Sequence, residues 1–138
     1  MLISTRGRYA LRVLAEMERM GTDGFLPLSE LSRRQGISEK YLESIMLILV
    51  KSGIVEGSRG RSGGYRFKRP PQTVTVWEVL EATEGSLAPV SCQKTDADPC
   101  RRASECCCVP LWQGLEDVIS GYLSRFTICD LAAEGGAF

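Results

Sequence analysis

Between Gly36 and Gly53 the chain carries one uninterrupted helical stripe. Leu42, Ile45, Met46, Leu49 and Val50 recur at i, i+3, i+4, i+7 and i+8, the spacing that collects apolar side chains on one buried face. Ser38 stands where an N-cap hydroxyl can accept a free backbone N–H, and Gly53 where a helix-terminating glycine belongs. A shorter helix over 28–35 opens after Pro27 and stops at Gly36, with Leu28 and Leu31 on one face. A first helix over 6–20 places Ala10, Val13, Leu14 and Met17 at helical spacing and ends in Gly21-Thr22-Asp23-Gly24. A short helix, a tight glycine turn and a second amphipathic helix make a helix-turn-helix.

Two short strand-like runs follow, Ile54-Val55-Glu56 and Tyr65-Arg66-Phe67-Lys68, joined by the glycine-rich Gly57–Gly64 segment. This reads as a β-hairpin wing. Arg59, Arg61, Arg66, Lys68 and Arg69 put five cations into that neighbourhood. The formal net charge of zero hides a split: residues 1–72 hold 13 Lys/Arg against 7 Asp/Glu, residues 73–138 hold 4 against 10. One half is built to face a polyanion. A recognition helix enters a major groove with its N-terminal polar residues leading, here Ser38, Glu39, Lys40, Tyr41, Glu43 and Ser44, all off the buried stripe. Glu43 suits the amino group of cytosine. Arg59 and Arg61 suit a narrow minor groove, and Arg6 and Arg8 suit phosphates.

Beyond Pro70-Pro71 a helix over roughly 75–84 is predicted, then a polar loop from Gly85 to Glu105. A long last helix over roughly 106–126 has Leu111, Leu115, Val118, Ile119, Tyr122, Leu123 and Phe126 on one face, more apolar surface than a small head needs. It fits an antiparallel partner helix in a two-fold dimer, or packing on the first helix of the same chain. A short helical turn over 127–134 precedes a frayed tail, Gly135-Gly136-Ala137-Phe138. The fold class is therefore mainly α: a winged helix-turn-helix with a small hairpin wing and a long C-terminal helix. The parts are a DNA-binding domain over 1–84, a cysteine-rich loop over 85–108, and a dimerisation helix with tail over 109–138.

All six cysteines lie in the second half: Cys92, Cys100, Cys106, Cys107, Cys108 and, apart, Cys129. A secreted disulfide framework spreads its cysteines behind a signal peptide; these are clustered with no such segment. The longest apolar run, Ile45–Val50, is far too short to span a bilayer, so a cytoplasmic protein with no membrane partner is the expectation. Clustered thiols suit an iron–sulfur cluster, zinc, or a thiol–disulfide switch, with incidental cysteines as the remaining reading. Cys129, beside Ile128 and Leu131, reads as a buried apolar residue. Histidine is absent, which excludes His-dependent triads and His metal ligands. No phosphate-cradling loop precedes a helix, and no paired buried carboxylates are evident, so an enzyme is not expected.

The segments Thr5-Arg6-Gly7-Arg8-Tyr9-Ala10-Leu11, Gln35-Gly36-Ile37-Ser38 with Tyr41-Leu42-Glu43, and the wing Arg59-Gly60-x-x-Gly63-Gly64-Tyr65 resemble the Rrf-two family of transcription regulators, in its IscR-like iron–sulfur branch. The resemblance runs to about residue 134. It implies a homodimer on a pseudo-palindromic double-stranded DNA operator. It implies base and phosphate contacts at Ser38, Lys40, Tyr41, Glu43, Arg59 and Gly60, with Tyr65 closing the wing motif. It also implies cluster ligation by Cys92, Cys100 and Cys106 ahead of the pair Leu111-Trp112, to a 2Fe–2S cluster, or a 4Fe–4S cluster as the alternative. Two departures stand out. The first cysteine gap is two residues longer than the family pattern, and the family's histidine ligand falls on Val109. Cys108 is then the candidate fourth ligand, with Cys107 next and Glu105 or Asp98 as carboxylate alternatives. Competing readings are a zinc- or thiol-based regulator without a cluster, and a regulatory subunit that binds protein through its cysteine loop.

Overall fold

The structure, a computed structural model, describes residues 2–94 and 97–133. The tail Gly135–Phe138 lies outside the described residues. The helices are α1 (Thr5–Met20), α2 (Leu28–Gln35), α3 (Glu39–Lys51), α4 (Val76–Glu84), α5 (Val109–Leu123) and α6 (Ile128–Ala132). One antiparallel hairpin joins β1 (Val55–Ser58) to β2 (Gly64–Phe67). Single 3-10 turns occupy Pro71–Thr73 and Ser91–Gln93.

The stripe of α3 folds as its spacing dictates. Leu42, Ile45, Met46 and Leu49 are fully buried, and Val50 is half-buried at the edge. They meet Ala10, Val13, Leu14 and Met17 of α1, Leu31 of α2, and Ile54 and Val55 at the entry to the wing. The Ser38 hydroxyl accepts the Tyr41 N–H at 3.4 Å and starts α3. Val74, Val79 and Ile128 close the same core from the C-terminal half.

The hairpin pairs Val55 with Phe67 and Ser58 with Gly64. It is tied down by a two-bond bridge: the Leu26 N–H donates to the Tyr65 carbonyl at 2.8 Å, and the Tyr65 N–H to the Leu26 carbonyl at 2.9 Å. The segment entering α2 is therefore pinned to the wing by a single β-bridge. Gly64 sits at φ +144°, and a Cβ there would overlap the Leu26 carbonyl. Only glycine permits both the backbone angle and that close approach.

A second core joins Val76 and Leu80 of α4 to Leu87 and Phe126, with Leu123 packed on it. The N-terminus of α1 is pinned to the end of α4. Ser4 donates through its N–H at 3.1 Å and its hydroxyl at 2.7 Å to Oε1 of Glu84. A Cβ on Gly7 would run into that same carboxylate oxygen, so the glycine in the Arg-Gly-Arg segment makes room for the Glu84 contact.

The last long helix is shorter than its apolar pattern predicts, 109–123 rather than 106–126. Both trims have physical causes. A helix begun at 106 would drive the Pro110 ring into the Cys106 carbonyl; Pro110 instead sits in the first turn of α5. At the other end, residues 126–128 are drawn onto the segment before α4. The Val76 N–H donates to the Phe126 carbonyl at 2.9 Å, and the Ile128 N–H to the Val74 carbonyl at 3.0 Å. A Thr127–Asp130 capping box then starts α6, which packs on α1, where the Arg19 guanidinium donates to the Leu131 and Ala132 carbonyls.

Gly64→Ala is expected to destabilise the protein by about 1–3 kcal/mol, the cost of forcing atoms into a filled space, read as a lowered urea midpoint. Gly24→Ala, where a Cβ meets nothing within 4 Å, should change stability by less than about 0.5 kcal/mol; equal effects of the two would contradict this packing.

Candidate nucleic-acid interface and cysteine loop

The wing stands beside the exposed face of α3 and encloses a groove of about 580 Å³. Glu39, Glu43, Leu47 and Val50 form its α3 wall, Arg59, Gly60, Arg61, Gly63, Gly64 and Tyr65 its hairpin wall, and Pro27, Leu28 and Ser29 its end at the start of α2. Six of the sequence-predicted residues thus share one concavity: Glu39, Glu43, Arg59, Gly60, Arg61 and Tyr65. Among the described residues Arg59 and Arg61 have no ion-pair or hydrogen-bond partner, so their charge is available to a polyanion. Burial, then the nearby Glu43 charge, pushes the Tyr65 phenol up from its ordinary value, keeping it a neutral hydroxyl.

The remaining predicted residues lie outside the groove lining. Ser38 is spent on capping α3. Tyr41 packs edge-on against Tyr9 with ring centres 6.1 Å apart, and the Ser44 hydroxyl donates to the Tyr41 carbonyl at 2.6 Å. Lys40 is exposed on α3, and Arg6 and Arg8 are exposed in the first turn of α1, where Arg8 also donates to the Thr5 hydroxyl at 3.1 Å. These form a polar margin running from α3 to the start of α1.

Two hairpin cations serve the fold instead. Arg66 donates to Glu56 at 2.6 Å and lies over the Phe25 ring, 4.4 Å from its centre. Arg69 donates to Glu78 at 2.6 Å and to the Thr73 carbonyl at 3.0 Å. The strongest groove residue that sequence reasoning passed over is Leu47. It sits inside the apolar run Ile45–Val50 and so reads as core, yet it is 52% exposed. Its signal was its phase: Glu39, Glu43 and Leu47 are spaced by four, off the buried stripe.

The cysteine loop joins α4 to α5. All six cysteines are free thiols; Cys92, Cys100, Cys107 and Cys108 are exposed, Cys106 and Cys129 half-buried. Cys107 and Cys108 form the turn ahead of α5, with sulfurs 4.0 Å apart, and Cys108 occupies the N-cap position. The adjoining Cys107 thiol first, then the charge of Cys106, raise the Cys108 thiol above its ordinary value. Among the described residues no three Cys, Asp or Glu side chains are gathered to hold a metal ion. Cys92 and Cys100 are therefore not brought together with Cys106 and Cys108 into a ligand set. The donor chemistry, sulfur-only with Cys106 alone half-buried among the loop thiols, fits a thiolate-bound cluster or soft metal; the assembled geometry is absent among the described residues.

Cys129 is not simply an apolar core residue. Its thiol donates to Glu18 at 3.2 Å, and burial followed by that carboxylate pushes it up to about 11, far from a reactive thiolate. Of the α5 face, Leu111, Leu115, Val118 and Tyr122 are exposed, Leu115 least at 40% and Val118 most at 68%. Packing on α1 of the same chain does not cover them. Among the described residues no helix is long and apolar enough to cross a membrane.

The chain is 33% identical over 131 residues to the HTH-type transcriptional regulator IscR of Escherichia coli, covering 95% of this chain and 80% of that one. Its fold is similar to that of CymR (YrzC), the global cysteine regulator of B. subtilis, with a TM-score of 0.74, 30% identity and 96% of each chain covered. It is also similar to IscR of T. potens, with a TM-score of 0.69, 28% identity, and 95% of this chain and 85% of that one covered. A family model described as Rrf2, iron-dependent transcriptional regulator, matches residues 3–134. The chain belongs to the Rrf2 family of transcriptional regulators.

Proposed function

We propose that the chain is a homodimeric, sequence-specific DNA-binding regulator whose affinity for an operator is set by an iron–sulfur cluster held in the loop over 85–108. The observation that carries the DNA half is the groove in which unpaired Arg59 and Arg61 face the carboxylates of Glu39 and Glu43. Arginines at the wing tip serve phosphate and minor groove, while carboxylates on α3 accept from base amino groups and disfavour phosphate. Lys40, Tyr41, Ser44, Arg6, Arg8 and the capping Ser38 flank the groove and position the duplex. The exposed α5 stripe supports dimerisation, which would set two such grooves on one pseudo-palindromic site. The likeness to regulators named IscR supports the cluster.

Cys92, Cys100 and Cys106 would hold the cluster, with Cys108 as fourth donor in place of a histidine the chain lacks. Such a cluster supplies an oxygen- and redox-sensitive centre. The chain's own contribution is mechanical. The loop's first residue, Gly85, follows Glu84, which holds the N-terminus of α1, and its last donor, Cys108, stands at the N-cap position of α5. Gathering the loop cysteines thus acts at both ends on elements that place the DNA-reading head and the dimer helix. A second reading, a thiol-based regulator without a cluster, is favoured by the 4.0 Å approach of the exposed Cys107 and Cys108 sulfurs.

Three outcomes are expected. Purified without oxygen, the protein should be coloured and contain iron and sulfide in near-equal amounts; Cys92→Ala, Cys100→Ala, Cys106→Ala and Cys108→Ala should each bleach or shift the visible spectrum, and Cys107→Ala should not. A colourless protein that still binds DNA would favour the thiol reading. On a promoter duplex, binding should weaken steeply with salt, and Arg6→Ala should lower the log–log salt slope by about 1. Glu43→Gln should instead relax preference at one base pair by about 1–3 kcal/mol. Leu115→Glu should sediment as a folded monomer; an unchanged dimer would remove α5 from the interface.

A further inference from the structure

We propose that Leu47 reads the 5-methyl group of a thymine in the major groove, roughly two base pairs from the pair read by Glu43. The inference rests on the reading of α3 as the recognition helix and goes beyond it by assigning a base contact to an apolar side chain.

A single exposed leucine is ordinary on a protein surface. This one is placed differently. It stands on α3 one turn beyond Glu43 and two turns beyond Glu39, and all three line the same groove as Arg59 and Tyr65. It is 52% exposed although its neighbours Met46 and Leu49 are fully buried, so the core does not use it. The groove wall along α3 therefore presents, in order, a carboxylate, a carboxylate and an isobutyl group, continued by half-buried Val50. No arginine, asparagine or glutamine occurs in α3, and its lysines, Lys40 and Lys51, lie outside the groove lining; these are the side chains that grip purines in bidentate fashion.

The base edges exposed in a major groove match that order. Cytosine offers an amino donor, which a carboxylate accepts, and thymine offers the one apolar group there, its methyl. Residues four apart on a helix are separated by roughly 6 Å along its axis, and base pairs along a duplex by roughly 3.4 Å. A helix running along the groove thus puts Leu47 nearly two steps from the pair met by Glu43. The groove wall of α3 thus offers groups suited to pyrimidines, a carboxylate for cytosine at Glu43 and an isobutyl group for thymine at Leu47. Burying a methyl against Leu47 is worth roughly a fourfold change in affinity.

The test uses the full-length wild-type protein. A preferred duplex is selected from random sequence, and the pair read by Glu43 is located as the one whose preference relaxes in Glu43→Gln. Each thymine of the duplex is then replaced singly by uracil, which removes only the methyl. The expected result is one thymine per half-site, about two pairs from the Glu43 position, whose replacement weakens wild-type binding roughly fourfold and leaves Leu47→Ala unaffected. Because Leu47 is exposed, Leu47→Ala should keep the wild-type thermal midpoint, and Leu47→Met, which keeps an apolar tip, should retain sensitivity to uracil. Uracil replacements without effect on wild type would overturn the proposal, as would an equal loss in wild type and Leu47→Ala. A wild-type protein that selects no duplex would overturn the DNA-binding reading itself, and this inference with it.

Discussion

Two backbone hydrogen bonds between Leu26 and Tyr65 hold the wing to the helix-turn-helix, and the rest of the DNA-facing geometry depends on them. A two-stranded hairpin alone is marginal in water, and this one is short. The bridge to the segment before α2 ties the hairpin to the helix-turn-helix beside α3. Gly64 makes the contact feasible by removing the Cβ that would meet the Leu26 carbonyl. The groove between Glu43 and Arg59 exists because the bridge holds its two walls apart at a set spacing.

The same economy ties the cysteine loop to the head. Glu84 ends α4, accepts from both polar groups of Ser4, and occupies the space left by Gly7. The far end of the loop runs directly into the first turn of α5, and α5 hands the chain to a bridge against residues 74–76 and then to α6 on α1. Within the loop Leu87 and Ala88 are buried against the second core, while Cys92, Cys100, Cys107 and Cys108 are exposed. A cofactor or thiol reaction within it would act on the segment that links α4 to α5.

Much of this was legible in the residues because local chemistry and tertiary packing agree. The α3 stripe, the Ser38 cap, the glycine stops at Gly21 and Gly36 and the wing strands all appear where spacing and turn chemistry place them. Periodicity failed where another constraint overrode it: Pro110 delays α5, and the Thr75–Thr127 bridge cuts it short, although the apolar pattern continues to Phe126. Charge counting overstated the wing, since Arg66 and Arg69 are held by Glu56 and Glu78, contacts that no sequence spacing reveals. Leu47 was hidden by its neighbours, because an apolar residue inside an apolar run carries no mark of facing outward except its phase. The cysteines are legible as donors through their chemistry, but their grouping depends on a loop path that no residue pattern dictates.

The central claim is that two copies of this chain present two α3–wing grooves to one face of a duplex. Hydroxyl-radical footprinting of the wild-type protein on its selected operator tests it most directly. The expected result is two symmetry-related protected tracts whose centres lie about 10 base pairs, or a whole multiple of that helical repeat, apart, each losing wing protection in Arg59→Ala. A single protected tract, or symmetric tracts unaltered by Arg59→Ala, would contradict the account.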